Sequence, residues 1–166
     1  MQKICCGQPK SMQTNNQTYN LTFTAGALLM NETCAVAEVY LETGRDWEIT
    51  KDRVFMEKEK VSTNRRFFSL VKQRIEALNE SELELLVSGN NSVKRLILFL
   101  AICKAHALIF DFIFVNVREC FFNMQEKVTH ANFNEFFNEK KYIHPELESI
   151  TDLTVNKIRQ VVFRIL

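Results

Sequence analysis

The chain has 166 residues, a formal net charge of +1 and a hydrophobic content of 46%, with 14 phenylalanines. This length suits one domain with a sizeable core, and the composition excludes a chain that is disordered throughout. Because only 4 Gly and 2 Pro are available for hairpin turns, we predict an all-α fold.

The predicted organisation is a short lead-in followed by one domain. Residues 1–18 are polar and are expected to be disordered, and they contain no apolar segment of signal-peptide length. Residues 19–166 are predicted to form a compact bundle of about six to eight helices. A finer division would separate a basic helical part, 19–79, from a hydrophobic bundle, 80–166.

Three helices are predicted in the first half of the chain. The first is expected to begin at the N-cap Thr24 and to end at Thr43, where Gly44 stops it. A half-charged second helix covers about Asp52 to Lys60. The turn "VSTN" then leads into a third helix from about Arg65 to Leu78.

The stretch "LILFLAICKAHALIFDFIFVNV", residues 96–117, is long enough to suggest a membrane span. Lys104, His106 and Asp111 lie in its middle, and its longest run without an ionisable group is Leu96 to Cys103. Ionisable groups at the centre of a bilayer cost several kcal/mol each. We therefore predict that this stretch is one buried helix, or two helices with a bend. Lys104 and Asp111 are seven residues apart and are expected to lie roughly on one face. The alternative is an element that lies at a membrane interface.

Capping patterns define the other predicted helices. "SELE" at Ser81 has the spacing of a capping box and opens a short helix. Further helices are expected over about Asn132 to Lys141, from Pro145, and from Asp152 to the end. The last one ends in the apolar "VVFRIL" without a cap, which predicts a fragment of a longer protein.

Basic residues are concentrated between Lys51 and Arg74, with eight cations against three acids. Several cations on neighbouring helices can follow a phosphate backbone through charge-assisted hydrogen bonds. The alternative is a solvated face on which Glu57 and Glu59 pair with neighbouring lysines. The predicted nucleic-acid-binding residues are Arg53, Lys58, Lys60, Arg65, Arg66, Lys72 and Arg74.

Aromatic residues recur in "RRFF", "CFF" and "NFNEFF" at helical spacing. Such spacing favours packing in the core over stacking on unpaired bases. Lys94 and Arg95 either extend the basic face or are ordinary surface residues.

No catalytic residue, metal ligand or cofactor site is predicted. Cys103 and His106 are three residues apart on a helix, but a core cysteine and a hydrogen-bonded histidine are much more common than a catalytic pair. The five cysteines form no C-x-x-C pair and are odd in number, so we expect reduced thiols.

Two segments carry a resemblance to a known family. "YNLTFTAGALLMNETCAVAEVYLETGRDW" is similar to the opening of the BrxA family of bacteriophage-exclusion (BREX) defence systems. "NRRFFSLVKQRIEALNESELELLVSGNNSVKRLILFLAICKAHALIFDFI" resembles the central block of that family, and the similarity extends from Tyr19 to the end. The residues that match the opening motif are Phe23, Gly26, Leu28, Leu29, Glu32 and Trp47.

The resemblance implies an all-helical, cytoplasmic protein with a NusB-like bundle and a role in DNA binding during phage defence. The expected partners are double-stranded DNA, with RNA left open, and other components of the defence system. No association with a membrane is expected, and the protein itself is expected to be a monomer. The alternative is a protein-interaction subunit that does not bind DNA itself. A third, weaker option is a hydrolase that uses unrecognised residues.

Overall fold

The computed structural model describes residues 18–56, 61–124 and 127–166, and every regular element in these ranges is helical. This confirms the all-α fold class, with nine helices in the described ranges when a single-turn helix is counted. A 3₁₀ turn at Thr22–Ala25 precedes them. The helices are α1 Met30–Glu42, α2 Trp47–Met56, α3 Val61–Glu76, α4 Glu80–Ser88, α5 Asn91–Ala105, α6 Ala107–Phe122, α7 His130–Ile143, α8 Pro145–Glu148 and α9 Asp152–Ile165.

Two hydrophobic clusters form the interior of the described residues. One packs α1, α3 and α4 against the first half of α5, and the other packs the N-terminal segment against α6, α7, α8 and α9. Helix α5 belongs to both, because Leu98 is buried in the first cluster and Ile102 in the second. The clusters therefore meet within α5. The finer division at residue 79 stays a prediction.

Helix α1 begins six residues later than the predicted N-cap. Thr24 lies in the 3₁₀ turn, and Leu29, the residue before α1, has a left-handed conformation with φ 50°. The predicted start was wrong because the backbone of residues 26–28 binds a buried side chain of α3 instead of entering the helix. The predicted end holds: Gly44 follows the helix with φ 67°, a conformation that glycine adopts without strain.

The capping box of α4 lies two residues before the predicted one. The side chain of Asn79 accepts a hydrogen bond from the Glu82 N–H at 2.9 Å, and the Glu82 carboxylate accepts one from the Asn79 N–H at 2.8 Å. The segment "VSTN" is the first turn of α3 and not the turn that precedes it. Helix α3 therefore starts at Val61, four residues earlier than predicted.

The long apolar stretch is bent at His106, where α5 and α6 meet at 107°. This is one of the two predicted shapes. No single helix in the three described ranges has the length and apolarity to cross a membrane, and α5 with α6 passes that test only as a bent pair. Lys104 and Asp111 do not share a face, since Lys104 contacts Glu82 at 2.6 Å and Asp111 contacts Lys140 at 2.7 Å.

The three predicted aromatic core segments differ in burial. In "RRFF", Phe67 and Phe68 are half-buried, and Phe68 packs against one of the hydrophobic clusters. In "NFNEFF", Phe133, Phe136 and Phe137 are at most 1% exposed, which confirms the core prediction. In "CFF", Phe121 is 78% exposed and Phe122 is 67% exposed, so the core prediction was wrong there.

Candidate nucleic-acid interface

Helix α3 presents the predicted cations on one side. Arg65 and Arg66 are exposed and Lys72 is half-buried. The buried side of the helix consists of Leu70, Val71, Arg74 and Ile75. At 100° per residue Arg65 and Lys72 fall opposite it, and Arg66 lies at its border, one turn before Leu70. The structure thus brings Arg65, Arg66 and Lys72 together and separates Arg74 from them.

A groove of about 710 Å³ runs between this side of α3 and the 3₁₀ turn. It combines two cations with neutral hydroxyl and amide groups, which are the side chains that commonly bind phosphate oxygens. One acidic residue, Glu76, lies among them. The residues that line the groove are Asn20, Thr22, Thr24, Ala25, Arg66, Ser69, Leu70, Lys72, Gln73 and Glu76.

The neutral half of this groove was not predicted from the sequence. The Thr22 hydroxyl donates a hydrogen bond to the Gln73 side-chain oxygen at 3.3 Å, across 51 residues of chain. Neither residue belongs to a motif, and no pattern in the sequence indicates their proximity. The groove exists because the N-terminal segment packs against α3.

Two of the predicted cations are paired with acids on the surface. Arg53 lies 3.6 Å from Glu42, and Lys72 lies 3.8 Å from Glu76. Lys72 also sits 5.1 Å above the ring of Trp47. Exposed pairs of this kind contribute little to stability and are screened by salt, so phosphate can compete with them.

Arg65 and Arg66 are exposed cations of α3. Among the side chains that the structure describes, no acidic group forms an ion pair with either of them. They follow the first turn of α3, whose residues 61–64 carry the N–H groups that have no partner within the helix. Lys58 and Lys60 lie outside the described residues, as do Glu57 and Glu59.

Arg74 was wrongly predicted as a phosphate contact, because it is fully buried. Its guanidinium donates hydrogen bonds to the carbonyl oxygens of Leu28 at 2.8 Å, Gly26 at 3.0 Å and Ala27 at 2.6 Å. Burial lowers the pKa of Arg74 to about 10, so the group remains charged at neutral pH. Arg74 therefore fixes residues 26–28, which directly follow the groove-lining residues Thr22, Thr24 and Ala25.

Other cations lie elsewhere. Arg95 lines a second groove of about 640 Å³ together with Leu96, Arg164 and Leu166. Of the two alternatives for Lys94 and Arg95, an extension of the basic face or ordinary surface residues, the position of Arg95 at this second groove does not favour the first.

Cys103 and His106 lack the properties of an activated catalytic pair. Burial raises the pKa of the Cys103 thiol to about 11 and lowers the pKa of His106 to about 4, so both groups are uncharged near neutral pH. Nor do the described residues contain a group of three or more His, Cys, Asp or Glu side chains that could hold a metal ion.

The burial of His106 predicts an acid-dependent loss of stability. His106 is 0% exposed. Burial is the main cause that lowers its pKa, and the positive charge of Arg74 lowers the pKa further. The backbone of Asn20 raises the pKa, which offsets this lowering only in part. The unfolded chain binds a proton below about pH 6.5, whereas the folded chain does so only near pH 4. The folded state therefore loses stability as pH falls through this window, by about 2 kcal/mol between pH 7 and pH 5.

Urea denaturation of wild type and the His106→Leu variant at both pH values measures this effect. Neither ring nitrogen makes a hydrogen bond of good geometry, so leucine should be tolerated at neutral pH and should remove most of the difference between pH 7 and pH 5. An equal loss of stability in the two proteins would exclude His106 as the source.

Comparisons with known proteins agree with one another. The BrxA family model matches residues 17–166. Two relatives described as "BREX protein BrxA" are 24% identical over 152 residues, in Escherichia coli O9:H4 (strain HS), and 26% identical over 153 residues, in Bacillus cereus (strain H3081.97). The matches cover 89% and 90% of this chain and 71% and 76% of the relatives.

A solved structure shares the fold. The crystal structure of an uncharacterized protein from Magnetospirillum magneticum superimposes with a TM-score of 0.74 at 21% identity, over 90% of this chain and 79% of that chain. Neither the family nor the relatives' names indicate an enzymatic activity. Because the family model matches almost the whole chain, the protein belongs to the BrxA family of BREX phage-defence systems.

Proposed function

We propose that this protein is a non-enzymatic, cytoplasmic accessory of a BREX phage-defence system that binds the phosphate backbone of double-stranded DNA. The contact surface is the exposed side of α3, with Arg65, Arg66 and Lys72, together with the groove beside it. Arg53 on α2, and Lys58 and Lys60 from the predicted set, complete the proposed cationic surface. Other components of the defence system are the proposed protein partners.

The observation that carries the proposal is that Arg65 and Arg66, for which the described side chains supply no ion pair, are exposed beside a polar groove that Arg66 lines. Arginine forks bind phosphate oxygens in a bidentate manner, and hydroxyl and amide groups such as Thr22, Thr24 and Gln73 fix the position of a backbone without reading bases. No acidic side chain of the described residues neutralises Arg65 or Arg66. The surface therefore suits weakly specific binding that is sensitive to salt.

A salt-dependent titration of duplex DNA tests this function. The Arg65→Glu/Arg66→Glu double variant is expected to lose at least about tenfold in affinity at low salt, because two phosphate contacts become repulsive. The Lys72→Gln variant should bind more weakly and reduce the slope of log affinity against log salt by about one. Fluorescence anisotropy with a labelled duplex measures both quantities.

The matched control is Lys127→Glu/Lys157→Glu, which reverses the same number of charges on exposed residues outside the groove. It should bind DNA within about twofold of wild type, since it removes no proposed contact. Equal losses in the two double variants would indicate a non-specific effect of net charge and contradict the proposed surface. If wild type binds no duplex even at low ionic strength, the protein-interaction function replaces the DNA-binding function.

A further inference from the structure

A cluster of aromatic rings lies beside the proposed DNA surface. The indole of Trp47, the first residue of α2, stacks on the Tyr40 ring of α1 with 4.0 Å between the ring centroids and 22° between the planes. The Phe68 ring of α3 meets the indole edge to face at 6.0 Å. Side chains of three helices therefore fix the orientation of Trp47, with one face of the indole against Tyr40.

The other face of the indole is covered by a cation. The ammonium of Lys72 lies 5.1 Å from the centroid of the indole, and it lies over this face because Tyr40 occupies the opposite one. The same ammonium is 3.8 Å from the carboxylate of Glu76, and the two side chains of this pair are 37% and 50% exposed. Cation–π contacts and ion pairs at exposed positions are weak, so Lys72 covers the indole only loosely.

Trp47 lies on the side of α3 that carries the proposed phosphate contacts. At 100° per residue, Arg65, Phe68 and Lys72 fall within about 60° of one another, and Trp47 contacts both Phe68 and Lys72. Gln73, which lines the polar groove, falls about 80° to the other side of Arg65. The cations Arg65 and Lys72 therefore lie between the groove and the indole.

We propose that Trp47 stacks on an unpaired base of a DNA strand whose phosphates bind Arg65 and Lys72, an inference that rests on the proposed function. Proteins that bind single strands combine a cationic path for the backbone with aromatic rings for the bases, and the Arg65 side of α3 offers both. Lys72 moves from the indole to a phosphate, and the base takes the position that the ammonium leaves. The site accordingly favours duplex DNA with a single-stranded end over a blunt duplex.

The exchange of partners at the indole favours the base. Losing a base that stacks on an aromatic ring lowers affinity by about five- to a hundredfold, whereas an exposed cation–π contact accounts for about two- to fivefold. In the same step Lys72 exchanges a solvent-screened ion pair with Glu76 for a charge-assisted bond to phosphate. A blunt duplex keeps its bases paired, so it gains only the second exchange.

Titration of the full chain with three DNAs tests the stacking. They are a blunt duplex, the same duplex with an overhang of about four nucleotides, and that duplex with an abasic overhang, which carries the phosphates without the bases. Wild type should bind the overhang with bases at least about fivefold more tightly than the other two DNAs. Trp47 is the only tryptophan of the chain, so quenching of its fluorescence by the bases, and not by the abasic overhang, reports the contact directly.

Three variants separate the ring from the cation. Trp47→Leu should reduce the preference for bases in the overhang to less than about twofold, and Trp47→Phe should keep part of it because a ring remains. Lys72→Gln should weaken the binding of all three DNAs and keep the preference, since the indole face is then open. The matched control Phe121→Leu/Phe122→Leu removes two exposed rings of α6 and should leave the preference unchanged.

Equal affinity of wild type for the two overhangs, or an undiminished preference in Trp47→Leu, would overturn the stacking. Loss of the preference in Phe121→Leu/Phe122→Leu would place the base on α6 and overturn it as well. If circular dichroism shows that Trp47→Leu does not fold, the fluorescence of wild type decides, and bound bases that leave it unchanged would contradict the proposal. Binding of blunt duplex without a preference contradicts this inference alone, whereas binding of none of the three DNAs contradicts the proposed function too.

Discussion

Replacing the buried Arg74 with leucine is expected to lower the free energy of unfolding by about 3 to 5 kcal/mol. The guanidinium supplies the donors for three backbone carbonyl oxygens, those of Gly26, Ala27 and Leu28. These carbonyls belong to the turn that leads into α1, so their loss of partners also loosens the start of that helix. Urea denaturation followed by circular dichroism measures the change.

Arg66→Leu provides the matched comparison, since it makes the same substitution on the exposed side of the same helix. It should change the unfolding free energy by less than about 0.5 kcal/mol. Arg74→Lys should be intermediate, because one ammonium cannot reproduce the fork that reaches three carbonyls. If Arg74→Leu were as stable as Arg66→Leu, the buried hydrogen bonds would contribute no net stability.

Replacing Phe112 with alanine should also cost about 3 to 5 kcal/mol of unfolding free energy. Phe112 is 0% exposed, and its ring lies 5.3 Å from the rings of Phe133 and Phe136 and 6.4 Å from that of Phe163. These residues come from α6, α7 and α9, so the cavity would form where three helices meet. Thermal and urea denaturation report the loss.

Tyr142→Ala is the control for this substitution, because Tyr142 is an aromatic residue that is 92% exposed on α7. It should stay within about 0.5 kcal/mol of wild type. A small effect of Phe112→Ala would mean that the neighbouring rings collapse into the vacated space, and a similar effect of both variants would contradict the assigned core.

Periodicity predicted the helices better than residue type predicted the site. The apolar stripe of α3 passes through Val71, Ile75 and Leu78, and Arg74 lies three residues after Val71 on the same side. Its position therefore indicated burial, but its charge suggested a surface role. The spacing was the better guide because three backbone carbonyls satisfy the charge, and they belong to a segment more than 40 residues away.

The exposure of Phe121 and Phe122 was missed for the opposite reason. Both have the residue type and spacing of a core segment, yet they are 78% and 67% exposed near the end of α6, after the bend at His106 and a π-helical segment at Ile113–Val117. Both features depend on packing between distant parts of the chain. Some helix boundaries were predicted correctly, because glycine, proline and capping residues act over only a few neighbouring residues. Gly44 follows the end of α1 as predicted, and Pro145 begins α8 as predicted.

The sharing of α5 by both hydrophobic clusters ties the two parts of the molecule into one mechanical unit. Leu98 and Ile102 are one helical turn apart, so neither cluster can loosen without displacing the helix that supports the other. Damage to the aromatic interior around Phe112 is thereby transmitted to α3 and to the cationic groove, although no residue there is altered. A destabilising substitution in either cluster should consequently lower the melting temperature of the whole chain, which is expected to unfold in a single cooperative transition.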